Sequence, residues 1–186
     1  MTARLLELLR RPVTEAAIGL LGWRLQSREG GATTEVKLTE LEAYGGASDP
    51  ASHAYRGPTK RNASMFLEAG ALYVYRSYGI HWCANAVVGS EGEGGAVLLR
   101  AGLPAKGRRT MEGRRGRIDH LVDGPGKLCE AMGIDGSHDG TSLVDGPIRL
   151  LPPAGEIEDH VTAGPRVGIS RATDRLWRFT LAGSDT

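Results

Sequence analysis

Apolar residues in the first part of the chain recur at helical spacing. Leucines cluster between residues 5 and 9, a break follows at Pro12, and a second apolar face runs from Ala16 to Leu21. This periodicity is typical of amphipathic helices. It predicts two short helices, with Thr14 as the expected N-cap of the second.

Beyond residue 22 the pattern changes to short apolar or alternating segments bounded by turn residues, which indicates strands. The glycines at 30–31 predict the turn between the first two strands, and Tyr78-Gly79 predicts a tight turn that makes residues 71–88 a hairpin. The predicted strands are Trp23–Gln26, Thr34–Leu41, Ala71–Ser77, Ile80–Val88, Gly95–Arg100, Ile148–Leu151, Arg166–Ile169 and Trp177–Leu181.

Two further segments are predicted to be helical, namely residues 104–122 with a glycine-rich interruption and Gly126–Met132, which ends at Gly133. Residues 45–61 form a loop, with a helical turn expected after Asp49-Pro50. This order of elements predicts an α+β fold over residues 1–186. We expect one compact domain with a mainly antiparallel, curved sheet, flanking short helices and a protruding hairpin.

Composition adds one unusual feature. The chain has 186 residues, 40% hydrophobic and 24% charged, which is ordinary for a globular protein. It also contains 27 glycines, about twice the usual share of roughly 7%. Many tight turns between short strands are therefore expected.

Charge is distributed unevenly although the formal net charge is only +1. Seven basic residues and one acid lie between Arg100 and Arg117, while acids gather at Glu156, Glu158 and Asp159. One face of the protein can thus be cationic while the sum is near zero, as in proteins that bind nucleic acid. A solvated arginine-rich loop explains the run equally well.

Metal and cofactor chemistry find little support in the sequence. His53, His81 and Cys83 are the candidate ligands, but no further residues accompany them at the spacing of a metal site, so neither a metal nor a cofactor is expected. Cys83 and Cys129 are expected to be buried, reduced thiols. The apolar run 16–23 is too short to span a membrane, so a cytoplasmic protein is expected.

All five tyrosines fall between Tyr44 and Tyr78. Tyrosine offers a flat face on which a base can stack and a hydroxyl that can orient it, although tyrosines on adjacent strands also serve as core residues. Glu40 and Glu42 lie on the same face of a regular strand. Small and aromatic neighbours shield Glu42 from water, which would make it a stronger base, although a lone strand-end glutamate is usually exposed.

A series of motifs in the order found along this chain resembles the alkyladenine (3-methyladenine, methylpurine) DNA glycosylase family. The resemblance extends from about Leu20 to Phe179. The motifs are Glu42-Ala-Tyr44, Ala51-Ser-His53-Ala, Thr59-Lys-Arg61-Asn62, Met65-Phe66, Leu72-Tyr-Val-Tyr75, Tyr78-Gly79, His81, Cys83, Asn85, Val97-Leu-Leu-Arg100-Ala, Gly124-Pro-Gly-Lys127-Leu, Pro165-Arg166-Val-Gly168-Ile and Trp177-Arg178-Phe179.

The resemblance implies a repair enzyme that flips an alkylated or deaminated purine out of duplex DNA and hydrolyses its N-glycosidic bond. Glu42 matches the acid that activates the attacking water, and Arg100 matches an arginine beside that water. Tyr78, with Gly79, matches the hairpin tip that wedges into the space the base leaves. Such extrusion is needed because a base inside a duplex is out of reach, and minor-groove wedges work in this way.

The resemblance also implies a base pocket. Tyr44 and Tyr75 match aromatics that sandwich the flipped base, together with His53, which also contacts the edge of the base. Asn85 matches the residue that crowds the exocyclic amine of a normal guanine.

The implied partner is double-stranded DNA with damaged purines, contacted also by Arg61 and Lys127. We expect a monomer, associated with the nucleoid of a prokaryote. Two alternatives stay open: a non-catalytic lesion binder, and a bifunctional lyase that uses Lys37 or Lys127 as its nucleophile.

Overall fold

The computed structural model describes residues 2–155 and 160–182, so Glu156, Glu158 and Asp159 of the predicted acidic segment lie outside it. Within those residues, four helices and eight strands form an α+β fold, which confirms the predicted class. The helices are α1 Thr2–Leu9, α2 Val13–Leu20, α3 Arg108–Arg115 and α4 Pro125–Met132. The strands are β1 Arg24–Glu29, β2 Ala32–Gly45, β3 Leu72–Ser77, β4 His81–Val88, β5 Gly95–Lys106, β6 Ile148–Leu151, β7 Val161–Gly164 and β8 Arg178–Leu181.

The strands form a single antiparallel sheet in the order β3-β4-β5-β2-β1-β6. The long strand β2 pairs with β5 along one edge. Its other edge is shared, because β1 pairs with residues 32–37 and β8 pairs with residues 40–42. Register shifts on either side of Glu40 interrupt the β2–β5 ladder. Such bulges bend a strand, and the sheet curls around this point.

The two faces of the sheet are buried differently. On one face, alternate residues such as Leu41, Val97 and Leu99 pack with α1, α2 and α4 in the main hydrophobic core. On the other face a small second cluster, which includes Tyr73 and Met65, lies under the loop of residues 46–66. This second face carries the polar side chains described in the next section.

The hairpin predicted over residues 71–88 is confirmed as β3 and β4. Its turn has positive φ at both central residues, 49° at Tyr78 and 70° at Gly79, and Ile80 N–H donates to the Ser77 carbonyl at 3.0 Å. Positive φ at both positions defines a type I′ turn, which matches the twist of a hairpin. Glycine suits this conformation, whereas tyrosine is strained in it.

Several local predictions were wrong for identifiable reasons. The N-cap of α2 is Pro12 rather than Thr14. Residues 104–106 continue β5, and α3 spans only Arg108–Arg115 because Gly107 and Gly116 at its two ends are in the left-handed conformation. The helical turn predicted after Asp49-Pro50 is not a helix. The short 3-10 helix of this loop lies before Asp49, at Gly46–Ser48, and hydrogen-bonded turns follow Asp49.

The segment 166–169 is not a strand, and the strand in this part of the chain is β7. Gly168 has a φ of +72°, which ends extended structure. The side chain of Arg166 is buried, and the N–H of Val167 donates to the Glu42 side chain rather than to the backbone of a neighbouring strand. Pro165 just before the segment and Gly168 within it were the available signals for a loop.

Candidate active site

The strand register brings polar side chains into rows on the second face of the sheet. Directly paired residues on neighbouring strands lie side by side, about 4.8 Å apart, and point to the same face. One row crosses four strands and consists of Tyr73, Asn85, Leu98 and Glu42, each paired with the next. Two residues further along the same strands, Tyr75, Cys83 and Arg100 form a second row.

Apart from Glu42, the residues of these rows form the floor of an open cleft of about 870 Å³. Its walls come from the loops at residues 50–61 and 167–171, and the hairpin tip at Tyr78 stands at its rim. Seven of the predicted site residues line the cleft: Tyr44, His53, Arg61, Tyr75, Tyr78, Asn85 and Arg100. The strand alternation therefore explains why residues far apart in sequence share one site.

Glu42 lies beneath this lining with no exposed surface. Its Oε1 accepts a hydrogen bond from Val167 N–H at 2.7 Å, and its Oε2 accepts one from the Tyr44 hydroxyl at 2.8 Å. The Arg100 Nε lies 3.5 Å from Oε1. A carboxylate has about four lone-pair positions, so these donors hold Glu42 in one orientation and leave at least one acceptor position unused.

Arg100 is itself held by a second carboxylate. Its Nε donates to Glu40 Oε1 at 2.8 Å, and Arg178 also reaches Glu40, at 3.3 Å. Glu40 and Glu42 thus approach the same guanidinium, as expected for acids on one face of a strand. This contact uses the Nε, and the two terminal nitrogens of the Arg100 guanidinium are further donors.

The aromatic wall is built from β3 and the 50–61 loop. The rings of Tyr73 and Tyr75 stack with centroids 5.5 Å apart, and His53 meets Tyr75 edge-on at 4.5 Å. His53 Nδ1 lies 2.9 Å from the Tyr73 hydroxyl. Burial, assisted by the nearby positive charge of Arg61, lowers the pKa of His53, so its imidazole is neutral at pH 7. Burial likewise raises the pKa of Tyr73 to about 12.

Asn85 is buried in the floor, and its Nδ2 donates to the Tyr73 carbonyl at 3.1 Å. This bond fixes the amide plane and so gives the cleft a rigid polar surface at this point. The thiol of Cys83 also faces the cleft, and burial raises its pKa, so the sulfur is a neutral thiol at pH 7. Both cysteines are free and buried, as expected.

Tyr78 is 89% exposed at the hairpin tip, and its neighbour Ile80 is 67% exposed. Gly79 completes the turn. The hairpin is supported close to its tip by α4, because the Gly126 backbone approaches the His81 side chain so closely that a Cβ on Gly126 would lie 2.9 Å from the His81 Cβ. Tyr78 and Ile80 are therefore two large, exposed side chains on a hairpin that packs against α4.

Lys127 stands apart from the cleft lining. It is in α4, where its Nζ forms a 2.8 Å ion pair with Asp123. Several arginines of the 100–117 segment are engaged in a similar way. Arg108 pairs with Glu112, Arg115 with Glu130 and Arg117 with Asp119, while Arg114 donates to the carbonyls of Glu29 and Ala131.

Other cleft residues received no role from the sequence. The Tyr73 hydroxyl contacts His53. Its place in the cleft could have been inferred, because Tyr73 and Tyr75 are two residues apart in a predicted strand and so share one face. Arg56 and Arg171 line the cleft mouth. They come from two separate loops, and no local pattern marks them.

No group of three His, Cys, Asp or Glu residues in the described part of the chain is arranged to hold a metal ion. Within the same residues, no helix combines the length and the apolar character needed to cross a bilayer.

A curled antiparallel sheet, an aromatic cleft that holds a buried carboxylate–arginine pair, and an exposed apolar hairpin tip define an enzyme that works on single bases of DNA. A family model described as methylpurine-DNA glycosylase (MPG) matches residues 7–185. The chain belongs to the methylpurine-DNA glycosylase family. It is accordingly a monofunctional DNA glycosylase of base-excision repair.

Relatives named "Putative 3-methyladenine DNA glycosylase" occur in bacteria and an archaeon. The one from Granulibacter bethesdensis is 49% identical over 94% of this chain and 82% of its own length. The one from Methanoculleus marisnigri is 48% identical over 94% and 92%, respectively. The one from Frankia casuarinae is 45% identical over 95% and 87%.

Proposed function

We propose that this cleft receives an alkylated or deaminated purine flipped out of duplex DNA, and that Glu42 and Arg100 direct water to the C1′ atom of its sugar. The observation that carries the proposal is the Glu42 carboxylate, which is fully buried beside Arg100 beneath an aromatic cleft. A carboxylate is expensive to bury, so burial at this point is consistent with chemistry rather than with folding.

The chemistry needs a negative charge and a base in the same place. Cleavage of an N-glycosidic bond passes through a sugar with oxocarbenium character, which a nearby carboxylate stabilises. Glu42 also accepts a proton from the attacking water, a role that contributes about 10²- to 10⁴-fold in rate. Arg100, whose Nε lies 3.5 Å from Glu42 Oε1, holds that water beside the carboxylate. Alkylation assists the reaction because it makes the purine a better leaving group.

The base is held by Tyr44, His53, Tyr75 and Asn85. Aromatic stacking contributes about 1–3 kcal/mol per base. A neutral His53 can contact the edge of a positively charged purine without charge repulsion, which the lowered pKa of His53 supports. Asn85 is fixed by the Tyr73 carbonyl, and we propose that its rigid amide crowds the exocyclic amine of a normal guanine.

Tyr78 and Gly79 at the hairpin tip fill the space that the base leaves. A strained, 89% exposed tyrosine has no role in the core of the protein, and an apolar wedge is what kinking and flipping require. The cost of extrusion is a few kcal/mol, and it is lower for a damaged pair.

The duplex backbone is contacted by basic residues around the cleft mouth. Arg56 and Arg61 on one loop and Arg171 on another line the opening, which suits phosphates on both sides of the flipped nucleotide. Lys127 and the 100–117 segment remain candidates for more distant phosphate contacts. Their ion pairs with acids would have to exchange for phosphate on binding.

The two alternative functions have less support. A lyase needs an amine at the sugar, and among the described residues that line the cleft there is no lysine. A pure lesion binder needs no buried acid beside an arginine. We further propose that the protein acts as a monomer, without metal or cofactor, in the cytoplasm and on the nucleoid of a prokaryote.

The lesion is identified by release of free base from duplexes that each carry a single damaged purine. We expect release from at least one duplex containing 3-methyladenine, 7-methylguanine, hypoxanthine or ethenoadenine. The product should be an abasic site that borohydride does not trap on the protein. A trapped adduct, or no release from any of the four duplexes, would contradict the proposal.

A further inference from the structure

A fully buried ion pair lies behind the cleft. Arg166 Nη1 lies 2.5 Å from Asp49 Oδ2 and Nη2 lies 2.9 Å from Oδ1, and both side chains have 0% exposure. Burial alone would raise the pKa of Asp49. Hydrogen bonds from Arg166 and from the N–H groups of Gly45 and Ala51 outweigh this effect and lower the pKa below its usual value.

The Arg166 guanidinium contacts two parts of the site, the ring of Tyr44 and the strand backbone beside Glu42. It lies over the Tyr44 ring, 4.7 Å from the centroid, and over the Trp177 ring at 5.2 Å. Tyr44 lines the cleft and Arg166 does not, so Arg166 supports the tyrosine from behind. Its Nη1 also donates at 2.8 Å to the carbonyl of Ala43, which lies between Glu42 and Tyr44 in the strand.

Arg166 also adjoins the residue whose N–H orients Glu42. Val167 follows Arg166 directly, and its N–H donates to Glu42 Oε1 at 2.7 Å. The segment 166–169 belongs to no strand and has no ladder of its own to hold it. From this segment, the Arg166 side chain binds the Ala43 carbonyl of β2 and the Val167 N–H binds Glu42.

Stability alone does not account for this pair. Two charges removed from water lose much hydration energy, and apolar replacements of similar size are often neutral or stabilising. The Nε of Arg166 is also buried without a partner among the described residues, which adds to the cost. A costly pair that touches both Tyr44 and the backbone beside Glu42 points to a role in alignment.

We propose that Arg166, held by Asp49, is the positioning residue of the active site: it fixes the stacking face of Tyr44 and, through Val167, the orientation of Glu42. The inference rests on the proposed roles of Tyr44 and Glu42. Its consequence is kinetic, because a displacement of about 1 Å in a catalytic group can cost about 100-fold in rate.

The test is the paired variant Asp49→Asn/Arg166→Met, which removes both charges of the buried pair. Arg175, which lies 3.8 Å from Asp49 and is partly exposed, also loses this contact. Asp49 accepts the N–H groups of Gly45 and Ala51 through its two oxygens, and asparagine keeps only one of these acceptors, so we expect a lower thermal midpoint. In the protein that remains folded, the single-turnover rate of base release should fall about 10- to 100-fold. Affinity for lesion-free duplex should not change, because the proposed phosphate contacts lie elsewhere. Arg166→Lys keeps a cation beside Asp49 but lacks the planar fork, so an intermediate rate is expected.

The matched control is Arg24→Met/Glu35→Gln, which removes a 2.8 Å ion pair at the other end of β2. It should leave the release rate unchanged. A wild-type rate in the Asp49/Arg166 variant, or a rate loss equal to its loss of folded protein, would overturn the inference. If that variant does not fold, a wild-type rate in Arg166→Lys overturns it instead. Glu42→Gln is assayed in parallel, and full activity there would show that the proposed function, not the positioning role, has failed.

Discussion

At the scale of single residues, the site depends on side chains that their neighbours hold in place. Glu42 is held by the Val167 N–H and the Tyr44 hydroxyl, and Arg100 is held by Glu40. His53 is neutral because it is buried near Arg61. A carboxylate below the sugar and an uncharged contact at the purine edge, the roles we propose for Glu42 and His53, suit a cationic, alkylated substrate.

The charge state of His53 can be measured directly. We expect its imidazole to titrate in NMR spectra with a midpoint below about 6.5, the ordinary value for histidine. Because its pKa in the folded state is lowered, unfolding takes up protons between that pKa and about 6.5, so His53 destabilises the fold as the pH falls through this range. Arg61→Gln should move the midpoint upward, while burial keeps it below 6.5. A wild-type midpoint at or above 6.5 would contradict the neutral contact proposed here.

At the scale of elements, the β3–β4 hairpin combines two conflicting requirements. The type I′ turn needs positive φ at two residues, and asparagine followed by glycine is its favoured pair. The chain places tyrosine at the first position, with a φ of 49°. The strain and the exposed ring both favour a functional explanation for Tyr78, since neither helps the hairpin to form.

This conflict predicts opposite effects on stability and activity. Tyr78→Asn should leave the thermal midpoint unchanged or raise it slightly, because asparagine accepts the left-handed conformation. The same variant should weaken base flipping, which is measured as the fluorescence change of 2-aminopurine beside a lesion. Ile80→Ala serves as a comparison at the same tip with the turn intact. A wild-type fluorescence change in Tyr78→Asn would remove the wedge role.

Sequence periodicity was sufficient for elements whose pattern is local. The hairpin, α4 with its Gly133 stop, and the first two strands all follow from alternation and turn residues. It failed at residues 104–106 and 166–169, where pairing with β2 and the burial of Arg166 decide the conformation. Long-range contacts also explain why the motifs indicated Glu42 and Arg100 but gave no role to Asp49 or Val167. Their partners lie more than 100 residues away in sequence.

At the scale of the whole molecule, we propose that DNA binding and bond cleavage use different parts of one surface. Basic residues surround the mouth of the cleft, while the acid lies under its floor. Phosphate contacts dominate affinity for DNA and are independent of the chemistry at the sugar. Several arginines of the segment 100–117 form ion pairs with acids of the same protein, so charge gave little indication of which face binds DNA.

This separation leads to the most direct test of the account, which compares lesion binding and single-turnover base release in Glu42→Gln. The amide keeps the shape of the side chain but accepts no proton, so we expect release to fall by about 10²- to 10⁴-fold. Binding to lesion duplex should stay within about threefold of the wild type, since the phosphate contacts are intact. Glu35→Gln, a change at another buried glutamate of β2 far from the cleft, should release base at the wild-type rate. Release by Glu42→Gln at the wild-type rate would contradict the central claim that Glu42 activates the attacking water.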